Sequence, residues 1–313
     1  MSSSELNAAR VAELIKSQAP VTTVANWLMA LWDGAGIADA ALNDYYEERE
    51  KSTRLLTWTL EQVYGEFLPD VLLPQVRSNR VAELLTRPHH ALVLMDSLSL
   101  REACLLRHRL PGYGYEVAAF DHAFSELPST TEAFCQRHWD AAAPSAVNAP
   151  NFVYVRADAP PMDDLRRDRL TVWGTYPDWF WAHAHSGKTE HIAPAEIYGK
   201  TEALLLGILK RIKGHDEIVI SSDHGYLMLK AGMAWHTVQP FQDYLKNVMG
   251  GRSALVSDSK EARALLDQGI IQVHGDHFLV KGRYTADFGI YQHGGLSLME
   301  CLTPWLVVRP MKG

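Results

Sequence analysis

Cysteine is scarce in this chain. Its three thiols, Cys104, Cys135 and Cys301, are widely spaced and form no CxxC pair. A disulfide framework and a thiolate zinc site are thereby excluded, and a reducing cytoplasm fits. Long apolar runs are lacking as well. No stretch reaches the ~18 residues of a membrane span, and Met1–Glu5 has neither the basic start nor the apolar core of a signal peptide. A cytoplasmic protein with no membrane contact is expected. Positive charge is also in deficit, with 30 Lys and Arg against 37 Asp and Glu and a net charge of −7. That argues against bulk coating of nucleic acid, though not against a local basic cleft. No internal repeat or low-complexity stretch occurs. What the chain does hold is 47% hydrophobic residues, enough for a sizeable core. It also holds 14 histidines, and imidazole is a common metal ligand.

The pattern changes once along the chain. Residues 5 to about 87 carry apolar residues at helical spacing: Leu6, Ala9, Val11, Leu14 and Ile15, then Trp27, Leu28, Leu31 and Trp32. Leu56, Leu60, Val63 and Phe67 predict a further helix ending around Pro69, and 77–85 a last one before Pro88. We read 1–87 as a helical N-terminal region and 88–313 as an α/β domain. From Ala91, strand-like runs alternate with helical ones: Ala91–Met95, Tyr115–Phe120, Asn151–Arg156, the strand before Asp223, and Pro304–Val308. Ser253–Val256 and the pair Ile271–His274 and His277–Thr285 add strands, with Gly275-Asp276 as a hairpin turn. Alternation of this kind argues a doubly wound, mostly parallel sheet.

The chemistry gathers at strand ends. Ile218-Val219-Ile220 is followed by Ser221, Ser222 and then Asp223-His224-Gly225. Open α/β sheets bind ligands beyond the carboxyl ends of their strands. A carboxylate and an imidazole there suit one divalent ion, zinc or manganese, and Gly225 is expected to permit a tight turn. Asp96 ends the run Ala91–Met95 in the same manner, so the sheet can bring Asp96 and Asp223 together. Two carboxylates in an apolar setting repel each other unless a metal neutralises them. Thr130 and Thr131 stand at the expected start of a helix, where a hydroxyl is either an ordinary cap or a nucleophile beside a metal. Asp178, with His183, His185 and His191 after it, and His293 in His293-Gly294-Gly295 complete the candidates. The two glycines permit close backbone approach.

The order LVLMD, LPSTT, PDWFWAH, VISSDHG and YQHGGLSLMECLTPWLVV resembles the alkaline phosphatase superfamily. Within it the chain is most similar to PglZ-domain proteins, over about residues 90–310 and through Glu300 and Pro304 in its closing segment. The resemblance implies an alkaline phosphatase-like sheet and a phosphoesterase with two divalent ions, zinc first and manganese as the alternative. Asp96, Thr131, Asp223 and His224 would surround one ion. Asp178, a following histidine (His183, with His185 and His191 in competition) and His293 would hold the other. Thr131, three residues after Pro128, would be the nucleophile, with Thr130 as the fallback. The family often carries an Arg close behind its first Asp, and here Arg101 lies five residues on. The five-residue step from Asp178 to His183 turns the wrong way on a helix, so Asp178 is expected in the loop before it. The implied activity is a phosphodiesterase on nucleotides or nucleic acid, in bacterial phage defence of BREX type, with defence-system proteins as partners. The alternatives are a non-catalytic PglZ-like partner-binding subunit, or a phosphomonoesterase or mutase on small metabolites.

Overall fold

The computed structural model describes residues 7–64, 66–76, 80–156, 163–180, 192–230, 232–285 and 290–311. Its centre is a six-stranded sheet in the order β2-β11-β5-β1-β4-β3. These strands are β1 (Ala91–Met95), β2 (Tyr115–Phe124), β3 (Phe152–Val155), β4 (Leu170–Gly174), β5 (Ile218–Ser221) and β11 (Leu302–Pro310). β1 pairs in parallel with both β4 and β5, and β3 in parallel with β4. β11 runs antiparallel between β5 and β2. The sheet is therefore mostly parallel, as expected from the alternating pattern.

β1 is buried along its whole length, because both of its faces are covered. Val93 and Met95 join one apolar cluster, while Leu92 and Leu94 join a second with Phe134, Trp173 and Trp305. The first cluster is continuous with the N-terminal helices α1 (Ala8–Lys16), α2 (Pro20–Leu31) and α3 (Leu42–Val63) through Leu28, Trp32, Tyr46 and Leu60. α3 buries Leu42, Tyr46, Thr53, Leu56 and Leu60 at helical spacing. It also buries one acid among them, Glu50. The expected helix through Phe67 in fact stops at Val63, and Phe67–Leu72 forms a separate, wider helical turn.

Two smaller sheets complete the fold. β7 (Ser253–Leu255), β9 (His277–Val280) and β8 (Ile271–His274) form an antiparallel sheet. It packs on the helices Phe241–Val248 and Lys260–Asp267 through Leu245, Leu265 and Phe278. The Gly275-Asp276 turn joins β8 to β9 as expected, with Gly275 at φ +58°. β6 (Leu227–Met228) pairs with β10 (Tyr291–Gln292), which ties the segment after His224 to the segment before His293. No helix among the described residues is long and apolar enough to cross a membrane.

Candidate metal centre

Leu94 on β1 lies opposite Ser221 on β5, so the two strands release their chains side by side. Asp96 and Asp223 therefore emerge at one end of the sheet and His224 beside them, all three buried. Each carboxylate has one oxygen occupied by the scaffold and the other turned inward. Asp96 Oδ2 accepts from Trp173 Nε1 at 3.2 Å. Asp223 Oδ1 accepts from the Ser97 backbone N–H at 3.0 Å. Ser97 aims that N–H from a left-handed φ of +65°, a conformation that costs a non-glycine residue on the order of 1 kcal/mol.

The inward oxygens converge on Thr131. Its Oγ1 lies 2.7 Å from Asp223 Oδ2, 3.1 Å from Asp96 Oδ1 and 3.2 Å from His224 Nε2. Neighbouring Thr130 does different work. It is the N-cap of the helix Thr131–Trp139, and its hydroxyl accepts from Ala133 N at 3.2 Å. Thr131 is the first helical residue, with Glu132 behind it in the first turn, where a carboxylate is favourable.

The second half of the centre is more open. His293 and Asp178 have side chains 31% and 24% exposed, with Nε2 and Oδ1 3.4 Å apart. Asp178 opens a helical turn rather than lying in a loop ahead of one, and its N–H donates to Asp96 O at 3.2 Å, linking the halves. The rings of His224 and His293 stack at 4.3 Å. His183, His185 and His191 lie outside the described residues.

The protons of this centre point to a cation. His224 Nδ1 faces Gly225 O at 2.9 Å and His293 Nδ1 faces Ser129 O at 3.3 Å. A carbonyl only accepts, so each Nδ1 carries a proton, and in the neutral imidazole that ligates a metal each Nε2 turns a lone pair inward. Those lone pairs meet carboxylate oxygens, Asp223 Oδ2 at 3.3 Å and Asp178 Oδ1 at 3.4 Å. Around Thr131, three acceptors share a single hydroxyl proton. Burial, then the carboxylates of Asp223 and Asp178, push the Asp96 carboxyl well above its usual range. Burial and then His224 push the His293 imidazole down, towards the neutral form that ligates. Asp96, Asp223 and His224 offer ligand atoms all within 4.8 Å of one another, and so do Asp178, His224 and His293. Oxygen and imidazole donors without thiolate suit zinc or manganese. The residues thus fit two divalent ions, with His224 reaching both triads.

Several supports were invisible in the motif spacing. Ser129 is buried and clasps the glycine loop: its hydroxyl donates to Gly295 O at 2.9 Å and accepts from Gly294 N at 3.1 Å. Glu300 accepts from Gly295 N at 2.9 Å and pairs with Arg252 at 2.6 Å, both groups fully buried. A Cβ at Gly295 would come within 2.7 Å of that guanidinium, so close approach does require glycine there. Gly225 serves the same purpose rather than a tight turn, since a Cβ on it would meet Met299 O at 2.1 Å. Arg101 turns away from the centre altogether. It pairs with Glu50 of α3 at 2.8 Å and donates to Tyr226 O at 2.8 Å, bracing the backbone two residues after His224.

No family model matches the chain, and no curated protein matches it. Among the solved structures that align with it, two examples have low TM-scores. One is phosphonoacetate hydrolase from Sinorhizobium meliloti 1021 in complex with phosphonoformate, at 14% identity and a TM-score of 0.41, covering 70% of this chain and 90% of that one. The other is murine ectonucleotide pyrophosphatase/phosphodiesterase 5, in an inactive form with AMP, at 10% identity and a TM-score of 0.40, covering 71% and 88%.

Proposed function

We propose that the chain is a metal-dependent phosphoester hydrolase, a phosphodiesterase of PglZ type that uses Thr131 as its nucleophile. One observation carries this reading. A threonine hydroxyl at a helix start lies within hydrogen-bond distance of two buried carboxylates and a buried imidazole, so that three ligand atoms surround its one proton. Divalent cations, when bound, would neutralise these carboxylates and withdraw charge from a phosphoryl group. Asp96, Asp223 and His224 would hold one ion, and Asp178 and His293, with His224 alongside, the other. The scaffold fixes Thr131 Oγ1 at the end of a helix whose free N–H groups favour a phosphate. Its proton has an acceptor in Asp223 Oδ2 at 2.7 Å.

In the first step the Thr131 Oγ–P bond forms and the bond from phosphorus to the leaving oxygen breaks. The leaving oxygen takes a proton from solvent. Water then attacks the phosphothreonine, releasing phosphate monoester and restoring the hydroxyl. Nucleotides or nucleic acid as substrate, and a place in BREX-type phage defence with defence-system proteins as partners, rest on the PglZ resemblance of the sequence.

Hydrolysis of bis-p-nitrophenyl phosphate with added zinc or manganese tests the reading, with p-nitrophenyl phosphate as the monoester control. Thr131→Ala should lower turnover by about a thousandfold or more while leaving the melting temperature near that of the unmutated chain. Thr130→Ala should lose only a cap, about 1 kcal/mol of stability. A Thr131→Ala protein that turns over the diester at the unmutated rate would sink the covalent mechanism.

A further inference from the structure

A cleft of about 700 Å³ opens between α3 and the three-stranded unit, among residues given no part in the metal centre. On its helical side lies a stripe of α3 that runs from Arg54 and Leu55 through Trp58 to Glu61. Leu55 is 45% exposed and Trp58 47%, although both are large and apolar. The core of α3 lies on its other face, so packing does not explain a tryptophan here. The opposite side is also aromatic. Trp235 packs edge-to-face on Tyr284 at 5.2 Å, and its ring occupies the space a side chain at residue 282 would need, which Gly282 leaves clear. Trp235 is thus a fixed wall, while Trp58 is a free one.

Charges of both signs sit between these walls. Lys281 is buried, with its ammonium 3.2 Å from Glu66 and 4.0 Å from Glu61. Arg54 and Lys281 balance Glu61 and Glu66 here, so a bare phosphate would gain no net attraction and would leave both aromatic walls uncovered. An apolar ligand would strand the ion pair. A flat heterocycle with donors and acceptors on its edge satisfies both walls and floor, and base–aromatic stacking tolerates any base.

We propose that this cleft is a second binding site that takes an unstacked nucleobase, with Trp58 as its stacking platform. The base comes either from a free nucleotide or from a single strand. The site does not depend on the hydrolase reading, so its occupancy is measured without metal, where no turnover occurs. The probe is a fluorescein-labelled deoxythymidine oligomer about ten nucleotides long, within the span such sites cover, titrated with chelator-treated full chain and followed by anisotropy. Trp58→Ala should weaken binding by roughly tenfold to a hundredfold, the range for losing one stacked base. Trp58→Phe should recover most of that loss. A base-free sugar–phosphate oligomer of the same charge should not bind. Competition by thymidine monophosphate assigns the site to free nucleotides, and its failure to compete assigns it to strands. Trp58 is exposed, so Trp58→Ala should melt with the unmutated chain and hydrolyse the small chromogenic diester at the unmutated rate. The proposal is overturned if the oligomer does not bind, if the base-free oligomer binds as tightly, or if Trp58→Ala binds as tightly as the unmutated chain.

Discussion

The two halves of the metal centre are built differently. Asp96, Asp223 and His224 follow two adjacent strands of a sheet covered on both faces, and each has a second atom fixed by the scaffold. Asp178 opens a helical turn and His293 follows the two-residue strand β10; both keep about a quarter to a third of their side-chain surface and have fewer fixed partners. The buried half is positioned by the sheet itself. The open half depends on loop contacts, chiefly Ser129 and Glu300. The rigid half holds Thr131, the proposed nucleophile, and the looser half faces solvent.

The largest effect should come from unequal damage to the halves. Asp223→Ala should abolish diester hydrolysis and remove at least one equivalent of bound metal. Asp178→Ala should retain the ion of the buried half. Elemental analysis after dialysis, with calorimetric titration, measures both, and equal loss in the two variants would erase the proposed asymmetry.

Next comes the brace behind the buried half. Glu50→Gln leaves Arg101 and Arg283 without their shared carboxylate, in a fully buried setting. Breaking such a cluster costs about 3–5 kcal/mol, which denaturant unfolding would show. The pH dependence has a definite sign. Burial pushes the Glu50 carboxyl up, but Arg101 and Arg283 outweigh it and hold the group below its usual range. Its contribution is therefore complete above the ordinary glutamate value of 4.5 and is lost as pH falls through the lower folded value. Glu50→Gln should flatten the stability profile in that acidic window.

Ser129→Ala should act on the open half alone. It removes both hydroxyl contacts to the glycine loop, and loss of such a support typically weakens metal binding by about 10–100-fold. Titration should show the weaker of two sites shifting while the tighter one stays. The smallest effect should be a gain. Burial chiefly raises the Asp96 carboxyl, with Asp223 and then Asp178 adding to it; in metal-free protein Asp223→Asn removes the Asp223 repulsion, and stability should rise by about 1 kcal/mol. A drop in melting temperature would show that the Ser97 N–H bond outweighs the repulsion.

The sequence pattern revealed β1 to the residue and placed β5 and Asp223 correctly, because both strands are continuous apolar runs that stop at polar residues. It missed β4, although Leu170–Gly174 is wholly buried. Thr171 interrupts the short apolar run, and a charged stretch precedes it. With β4 went Trp173, the donor to Asp96. The threonines show the same boundary in miniature. Two adjacent hydroxyls at a helix start are indistinguishable by spacing, and only the direction of the first helical turn separates the cap from the group facing the carboxylates.

Which runs are apolar, where they end, and which carboxylates and imidazoles stand at those ends are local properties of the chain. Burial on both faces of a strand and a change of polarity at its end are written in consecutive residues. Strand order, the pairing of β1 with β5, the tautomers set by Gly225 O and Ser129 O, and Arg101 turned towards Glu50 were decided only by the tertiary structure. Arg101 with Glu50, β1 with β5, and His293 with Ser129 join residues far apart in sequence, the His224 tautomer depends on which way a side chain points, and periodicity over a few turns of chain carries neither.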